Sequence, residues 1–269
     1  HLFDLLWEGY QDVGGSQPYN LVSAYRTPAT NAYLRSRSSA VAENSQHMRG
    51  HAMDVFIPGL SLSTLPADDD HPYRTGPWRP QTAEWEATEL EVWDGAIPSD
   101  LEGVYLRNTE NPLHPPIRTY HPFDGDGMIH AVAFRDGRAS YRNRFVVTDG
   151  LVAEREAGAS LWAGLGEPPG LARRPGWGAR GGLKDASSTD VVVHAGAALT
   201  TFYQCGDVYR LDPRTLDPRG KAPWASGLPD RWGVSAHARV DEGTGELMFF
   251  NYATEPPYLH YGVVDGSGR

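Results

Sequence analysis

Two sets of side chains in this sequence have residue types and spacing that suit metal chemistry. The first is the pair His47 and Asp54, which precedes a short apolar run, Val55–Ile57. A turn that leads into a strand can bring such a pair to one side, and imidazole with carboxylate suits zinc. Hydrolysis would also need a third protein ligand and an open water position. On pattern alone, two polar residues in a surface turn remain the simpler interpretation.

The second candidate is His237, which lies among small and apolar residues in the segment 233–241, Gly-Val-Ser-Ala-His-Ala-Arg-Val-Asp. We interpret this segment as a strand that is followed by a Gly-rich turn and a second strand, Glu246–Tyr252. That placement suits a histidine aimed at an interior metal. A single histidine in a strand is more often an ordinary core or surface residue. The pattern alone therefore makes His237 a candidate metal ligand and does not assign it that role.

The composition limits which function classes remain open. Of the 269 residues, 40% are hydrophobic, which is enough for a core, and 30 glycines with 21 prolines predict many turns. The net charge of −10 and the lack of a basic stripe argue against nucleic-acid binding. The single cysteine, Cys205, cannot form an internal disulfide, and no apolar run is long enough for a transmembrane segment.

The elements that must position these residues differ along the chain. Residues 1–62 show helical patterns around one strand pattern at 19–25, which predicts a small α+β piece. A polar, turn-rich junction follows at 63–69. From 70 to 269 short apolar or alternating runs recur between turn signals, which predicts a sandwich, a barrel or a propeller.

The predicted strands of the β region are 103–108, 128–134, 139–146, 190–194, 198–203, 208–211, the two runs around His237, and 258–264. Asp136-Gly137 predicts a tight hairpin between two of them. The Gly-, Pro- and Arg-rich stretch 154–182 predicts a long loop or a short helical excursion.

Other polar residues of the β region have structural interpretations. Asp124 and Asp126 could begin a calcium loop, but the ligand pattern continues no further, so we expect the glycines beside them to make a tight turn. His121 and His130 are candidate ligands by residue type alone. His194 and His260 lie in predicted strands, and we expect them to be structural.

The segment 22–28 with Asn31, and the segment 45–54 with its complete Ser-x-His-x-x-Gly-x-Ala-x-Asp spacing, resemble the M15 metallopeptidase family. The similarity covers residues 1–62 and points to the YcbK-like cell-wall branch of D-alanyl-D-alanine carboxypeptidase-like proteins. It implies that His47 and Asp54 bind zinc and that Arg26 contacts a substrate carboxylate or the polarised carbonyl. The family's later segment with the third ligand is not found. The histidines that would have to supply it are His71, His114, His121 and His130.

From residue 68 onward, several motifs resemble those of the carotenoid cleavage oxygenases and occur in that family's order. They are 70–76, 97–108 with Asn111-Pro112, 123–130, 139–145, 184–189 and 235–241. The resemblance implies a seven-bladed β-propeller with a mononuclear non-haem Fe(II) on its axis, held by four histidines. His237 matches the first of these ligands. The implied reaction is O2-dependent cleavage of a conjugated C=C bond in a carotenoid, apocarotenoid or stilbenoid, reached through an apolar tunnel.

The two resemblances together predict a mainly β chain: a partial seven-bladed propeller of about three blades at 70–269, preceded by an α+β M15-like fragment at 1–62. Only one of the four implied iron ligands is present. A propeller left open also exposes sheet edges, so we expect truncated and impaired activity in this chain.

Three functional hypotheses remain. The first is an iron dioxygenase, an oxidoreductase whose partners are O2 and an apolar small molecule. The second is a zinc-dependent D-Ala-D-Ala carboxypeptidase-like cell-wall peptidase with the β region as a binding module. The third is a non-catalytic fusion remnant. The oxygenase resemblance implies the cytoplasm or a loose association with a membrane surface, and the peptidase resemblance implies the periplasm or the cell wall. Because no signal peptide is visible, we expect the cytoplasm.

Overall fold

The computed structural model describes residues 21–23, 54–56, 79–174, 183–203, 206–229, 232–252, 256 and 258–269. The chain forms two compact units, His1–Ser61 with Glu91–Ala96, and Leu62–Leu90 with Ile97–Arg269. The predicted boundaries around the junction 63–69 fall outside the described residues and stay predictions.

The described part of the first unit contains an antiparallel strand pair. Strand β1 (Leu21–Ser23) pairs with β2 (Asp54–Phe56), and Ser23 lies opposite Asp54. Strand β1 falls within the strand predicted at 19–25. The helices predicted for this piece lie outside the described residues.

The second unit is mainly β, as predicted, and its strands form three antiparallel sheets. The first contains β3 (Glu86–Ala87), β4 (Gly103–Asn111), β5 (Asp126–Arg135) and β6 (Arg138–Phe145), in the order β3-β6-β5-β4. The second contains β7 (Asp190–His194), β8 (Ala197–Thr201), β9 (Tyr209–Leu211) and β10 (Pro218–Lys221), in the order β10-β9-β8-β7. The third contains β11 (Arg239–Val240), β12 (Leu247–Tyr252) and β13 (Leu259–Val264), in chain order. Three successive sheets of this kind agree with the predicted partial propeller.

Helices are a minor component of the described residues. Helix α1 (Asp149–Ala157) begins after Thr148, whose hydroxyl accepts the N–H of Leu151, and ends at Gly158 in the left-handed conformation. Short 3₁₀ turns occur at Pro122–Asp124, Pro169–Leu171 and Pro223–Gly227. Within the described ranges, no helix is long and apolar enough to cross a bilayer.

The hairpin between β5 and β6 confirms the prediction from Asp136-Gly137. These two residues have φ values of 51° and 72°, and Arg135 pairs with Arg138 on either side of them. Positive φ at both central positions defines a two-residue turn whose twist matches that of the strands it joins. The turn thereby sets the register of the longest hairpin in the described part of the unit.

Apolar side chains between successive sheets form the core. The first and second sheets share a cluster of Ile129, Ala131, Val146, Ala198, Tyr209, Leu211 and Leu216. The second and third sheets share a cluster that includes Leu199, Val208, Val234, Leu247 and Val264. The sheets therefore pack face to face in chain order.

The other face of the third sheet, here called the outer face, is apolar and exposed. Its cross-strand pairs are Met248 with Val263, Phe250 with Tyr261, and Tyr252 with Leu259. The exposed fraction is 63% for Leu259 and 83% for Tyr261. These cross-strand pairs form an apolar surface, and only part of it is buried.

The first two sheets meet at a close approach of backbone to backbone. The N–H of Gly127 donates to the carbonyl of Ala186 at 2.8 Å, and a Cβ on Gly127 would lie 2.8 Å from the same oxygen. The Asn108 side-chain amide donates to the carbonyls of Ser187 at 2.9 Å and Asp190 at 3.1 Å. This seam, the contact of Gly127 and Asn108 with segment 186–190, places the start of β7 against the first sheet.

A buried carboxylate holds the turn that leads into β7. Asp185 Oδ1 accepts the N–H of Ser187 at 3.0 Å, and Oδ2 accepts the N–H of Asp207 at 2.7 Å. Burial, together with the Asp207 charge, raises the pKa of Asp185 to about 7 against the opposing effect of its N–H donors. The turn therefore carries a titratable group that the folded chain keeps protonated in mild acid.

Leu211→Ala should destabilise the second unit by about 2–5 kcal/mol, because Leu211 is 1% exposed and its loss leaves a cavity between two sheets. Chemical denaturation gives the free energy of unfolding. The matched control is Leu259→Ala on the outer face, where the same truncation should cost less than about 0.5 kcal/mol. Equal losses in the two variants would contradict face-to-face packing of the first two sheets.

Asp185 should contribute a decline in the stability of the fold as the pH rises from about 4 to about 7, and this contribution should then level off. Asp185 has an ordinary pKa of 3.8 when unfolded and about 7 when folded, so in this window the folded chain binds more protons. Asp185→Asn should flatten this decline, measured as denaturation midpoints at several pH values. The exposed Asp100→Asn is the control and should leave it unchanged. A decline of the same size in Asp185→Asn would show that other groups cause it.

Candidate functional site

Asp190, the first residue of β7, supplies the carboxylate of the candidate site. It lies opposite Thr201, the last residue of β8, in the strand register. Its Oδ1 accepts the N–H of Val191 at 2.8 Å. One carboxylate oxygen is thus used by the local backbone, and Oδ2 remains for other donors.

His237 lies outside the strands, and this corrects the prediction that it belongs to one. From the predicted strand only Arg239–Val240 is in a ladder, while Val234 and Ser235 form isolated bridges. Between them, Ala236 has a φ of 46°, in the left-handed region that a strand cannot continue through. The extended chain therefore breaks immediately before His237.

The backbone before His237 is tied to the end of β8. The Ala236 N–H donates to the carbonyl of Phe202 at 2.8 Å, and the Thr201 hydroxyl donates to the carbonyl of Ala236. Because Thr201 is also the register partner of Asp190, the same end of β8 positions both site residues. Backbone strain at Ala236 fits a site residue held by its surroundings.

The side chain of Asp190, at the start of β7 in the second sheet, contacts the side chain of His237, which lies just before the third sheet. His237 Nδ1 lies 2.8 Å from Asp190 Oδ2, and the Arg239 guanidinium donates to the same oxygen at 3.2 Å. The side chain of His237 is 57% exposed and that of Asp190 is 23% exposed. The carboxylate can only accept, so the imidazole Nδ1 is the donor of this hydrogen bond. Nε2 has no hydrogen bond to any described residue and remains available as a ligand atom.

His237 is a suitable ligand for iron. A neutral imidazole with a carboxylate on its Nδ1–H is the usual arrangement of a metal-binding histidine, so the donor chemistry at His237 fits Fe(II). Among the described residues, however, no group of three or more His, Cys, Asp or Glu side chains is arranged to hold a metal ion. The described part of the chain can therefore supply one iron ligand, and it does not contain a complete iron centre.

The residues predicted for zinc binding fall mostly outside the described ranges. Asp54 is the first residue of β2 and lies opposite Ser23. His47 and Arg26 lie outside the described residues. Their roles stay predictions.

The buried histidines of the sheets use their ring nitrogens within the protein. His130 lies 2.8 Å from the Thr109 hydroxyl and 2.7 Å from the Tyr141 hydroxyl, and burial lowers its pKa to about 4. His194 Nε2 lies 3.0 Å from the carbonyl of Gly245. The structural role expected of His194 agrees with this contact, and His130 has no ring nitrogen left for a metal.

The segment around Asp124 and Asp126 is a tightly packed turn, as predicted. A Cβ on Gly125 would lie 2.6 Å from the backbone nitrogen of Asn111, so only glycine fits. Asp124 accepts two backbone N–H groups, and Asp126 pairs with Lys184 at 2.5 Å. Both carboxylates thus have protein partners.

A second cluster of perturbed groups lies near the end of β4. Burial, assisted by the nearby Asp124 charge, raises the pKa of Glu110 to about 7. Burial likewise raises the pKa of Tyr203 to about 12, with Asp124 and other groups contributing. Such shifts are common at functional sites, although structural clusters show them too.

Sequence reasoning missed Asp190 and Glu110. In the sequence, Asp190 looks like an ordinary first residue of a strand. It lies 47 residues before His237, so no local sequence pattern indicates that the two side chains are in contact. Glu110 follows an apolar strand pattern and becomes unusual only through burial. The unusual surroundings of Asp190 and Glu110 arise only from the packing of the sheets in the folded chain.

Comparison with protein families gives two matches. The family model described as Retinal pigment epithelial membrane protein matches residues 78–269, more than half of the chain. The model described as Peptidoglycan L,D-endopeptidase MepK matches residues 1–70. The second match confirms the resemblance of the N-terminal piece to M15 peptidases.

Curated relatives agree with the first match. The carotenoid cleavage oxygenase of Mycobacterium tuberculosis is 36% identical over 207 residues, which cover 76% of this chain and 38% of that protein. The isoeugenol monooxygenase of Pseudomonas nitroreducens is 33% identical over 204 residues, which cover 74% of this chain and 41% of that protein. The chain thus spans about two fifths of the length of these curated relatives.

Solved structures show the same relationship in three dimensions. The lignostilbene dioxygenase of Pseudomonas brassicacearum superposes with a TM-score of 0.64 at 26% identity, over 74% of this chain and 41% of that chain. An apocarotenoid oxygenase variant from Synechocystis superposes with a TM-score of 0.57 at 27% identity, over 71% of this chain and 41% of that chain. Over residues 78–269, the chain therefore belongs to the family of the retinal pigment epithelial membrane protein and the carotenoid cleavage oxygenases.

Proposed function

We propose that the β region contributes one metal ligand, His237, to a non-haem iron(II) oxygenase that cleaves a conjugated C=C bond with O2. The observation that carries this proposal is the state of the His237 ring, which lies in a segment that matches the oxygenase family: Nδ1 is hydrogen-bonded to Asp190, and Nε2 has no hydrogen bond to any residue that the structure describes. When bound, Fe(II) with open coordination positions would supply the site at which O2 reacts.

The residues of this chain orient the ligand. The hydrogen bonds at Ala236 fix the backbone next to His237, and Asp190 fixes the rotation of the imidazole ring. Further ligands would come from elsewhere, because the described residues offer no complete set. We therefore assign this region ligand positioning rather than a full reaction.

The proposed substrate is an apolar conjugated molecule of the carotenoid, apocarotenoid or stilbenoid class. The names of the relatives support this class, since they include oxygenases of carotenoids and of lignostilbene. O2 is the second substrate. We place the reaction in the cytoplasm, with contact at a membrane surface from which an apolar substrate could be taken.

A second candidate function is zinc-dependent cell-wall peptide hydrolysis by the N-terminal piece. The match of residues 1–70 to a peptidoglycan endopeptidase family favours it. His47 and Asp54 would bind zinc, and Arg26 would contact the substrate.

Metal titration separates the two candidates. In labelled protein without oxygen, Fe(II) should broaden the NMR signals of the His237 ring and of the neighbouring backbone amides of Ala236 and Ala238. The broadening of these two amides should vanish in His237→Ala. His194→Ala is the matched control, because its ring contacts the Gly245 carbonyl, and it should leave the effect intact. Broadening that persists in His237→Ala would contradict the assignment of the iron ligand.

Zinc content tests the second candidate. If the N-terminal piece is a zinc site, the purified chain should contain zinc, and His47→Ala and Asp54→Ala should each lose it while His237→Ala keeps it. Metal is measured by elemental analysis after gel filtration. Zinc that is unaffected by either N-terminal substitution would rule these two residues out as ligands.

A further inference from the structure

Asp190 has features that an incidental surface ion pair does not share. Surface ion pairs usually join long flexible side chains and contribute little. Asp190 is short, only 23% exposed, and fixed at the start of β7, where Asn108 donates to its carbonyl at 3.1 Å. Its Oδ1 is held by the N–H of Val191 at 2.8 Å, which fixes the rotation of the carboxylate. The position of Oδ2 is therefore set before any partner approaches it.

His237 meets this oxygen with one ring nitrogen only. Nδ1 lies 2.8 Å from Oδ2, a full-strength distance for a hydrogen bond to an ionised acceptor. The backbone before His237 is held by the ties between Ala236 and the end of β8, so the ring cannot follow a displaced carboxylate freely. The end of β8 thus positions both ends of the contact, Asp190 through the strand register and His237 through the hydrogen bonds at Ala236.

The bond selects one of the two neutral forms of the ring. An accepting carboxylate requires the hydrogen on Nδ1, which leaves the lone pair on Nε2. The ring with its hydrogen on Nδ1 can bind a metal through Nε2. In water, by contrast, a free histidine side chain favours the form with the hydrogen on Nε2. Arg239 donates to the same oxygen at 3.2 Å, and an oxygen with two lone pairs can accept both donors.

Resting on the proposed function, we propose that Asp190 is the positioning residue of the metal ligand His237: its Oδ2 holds the hydrogen on Nδ1 and presents Nε2 to the metal. Neither residue is local to the other in sequence, and only the packing of the second sheet on the third brings them together. The role differs from ligation, since Oδ2 is already engaged by Nδ1. It also differs from a purely structural ion pair, which Asp190 could form with Arg239 alone.

The first test needs no metal. Long-range proton–nitrogen NMR of ¹⁵N-histidine-labelled chain at pH 8 reports which ring nitrogen of His237 carries the hydrogen. The parent should show the hydrogen on Nδ1, and Asp190→Ala should shift the ring to the Nε2–H form. Arg239→Ala is the matched control, because it removes the other donor to the same oxygen and should leave the ring unchanged. The signals of His130 and His194 serve as the fold control in each variant.

The second test adds metal and separates this inference from the oxygenase proposal. Asp190→Ala should weaken Fe(II) binding at His237 by about 10–100-fold, measured from the paramagnetic broadening of its ring signals, whereas Arg239→Ala should not weaken it. An Nε2–H ring in the parent overturns the inference even if Asp190→Ala fails to fold. An unchanged ring in a folded Asp190→Ala also overturns it. An Nδ1–H ring that depends on Asp190 supports the inference, and if Fe(II) then fails to bind at His237, the oxygenase proposal fails while the positioning contact stands.

Discussion

Face-to-face packing of successive antiparallel sheets is the constraint on which the described part of the second unit depends. Each sheet is a local meander, so its own ladder needs only short connections. Burial of apolar area requires the next sheet in the chain, because one sheet alone leaves both faces in water. The first two sheets meet this requirement through the cluster around Ile129 and Leu211, and the next pair through the cluster around Val208 and Val264. The site between Asp190 and His237 exists only because this packing aligns the ends of two sheets.

Much of this fold could be read from the sequence, for identifiable reasons. Alternating apolar runs located β4 to β8, β12 and β13, and Asp136-Gly137 located the hairpin that joins β5 to β6. The segment of His237 was harder, because Val234, Ala238 and Val240 alternate like a strand while Ala236 takes a left-handed conformation. Nothing local marks that break, since it follows from hydrogen bonds to Phe202 and Thr201 across the sheet interface. Tertiary contacts override local propensity most strongly at such positions.

In the candidate site, too, some residues could be predicted from the sequence and others could not. His237 could be nominated from sequence because its surrounding motif resembles that of a known family. Asp190 could not, because its partner lies 47 residues away and its neighbours read as an ordinary strand start. Glu110 and Asp185 likewise look unremarkable until burial raises the pKa of each to about 7. Desolvation is a property of the packed structure, and a single sequence carries no direct record of it.

The seam between the first two sheets limits which residue position 127 can hold. The amide of Gly127 bonds to the carbonyl of Ala186, and a Cβ at this position would lie too close to the carbonyl oxygen of Ser187. Any larger residue at this position would force segment 186–190 away from the first sheet. Asp190 lies at the end of that segment, so this backbone contact also governs where the carboxylate of the candidate site stands.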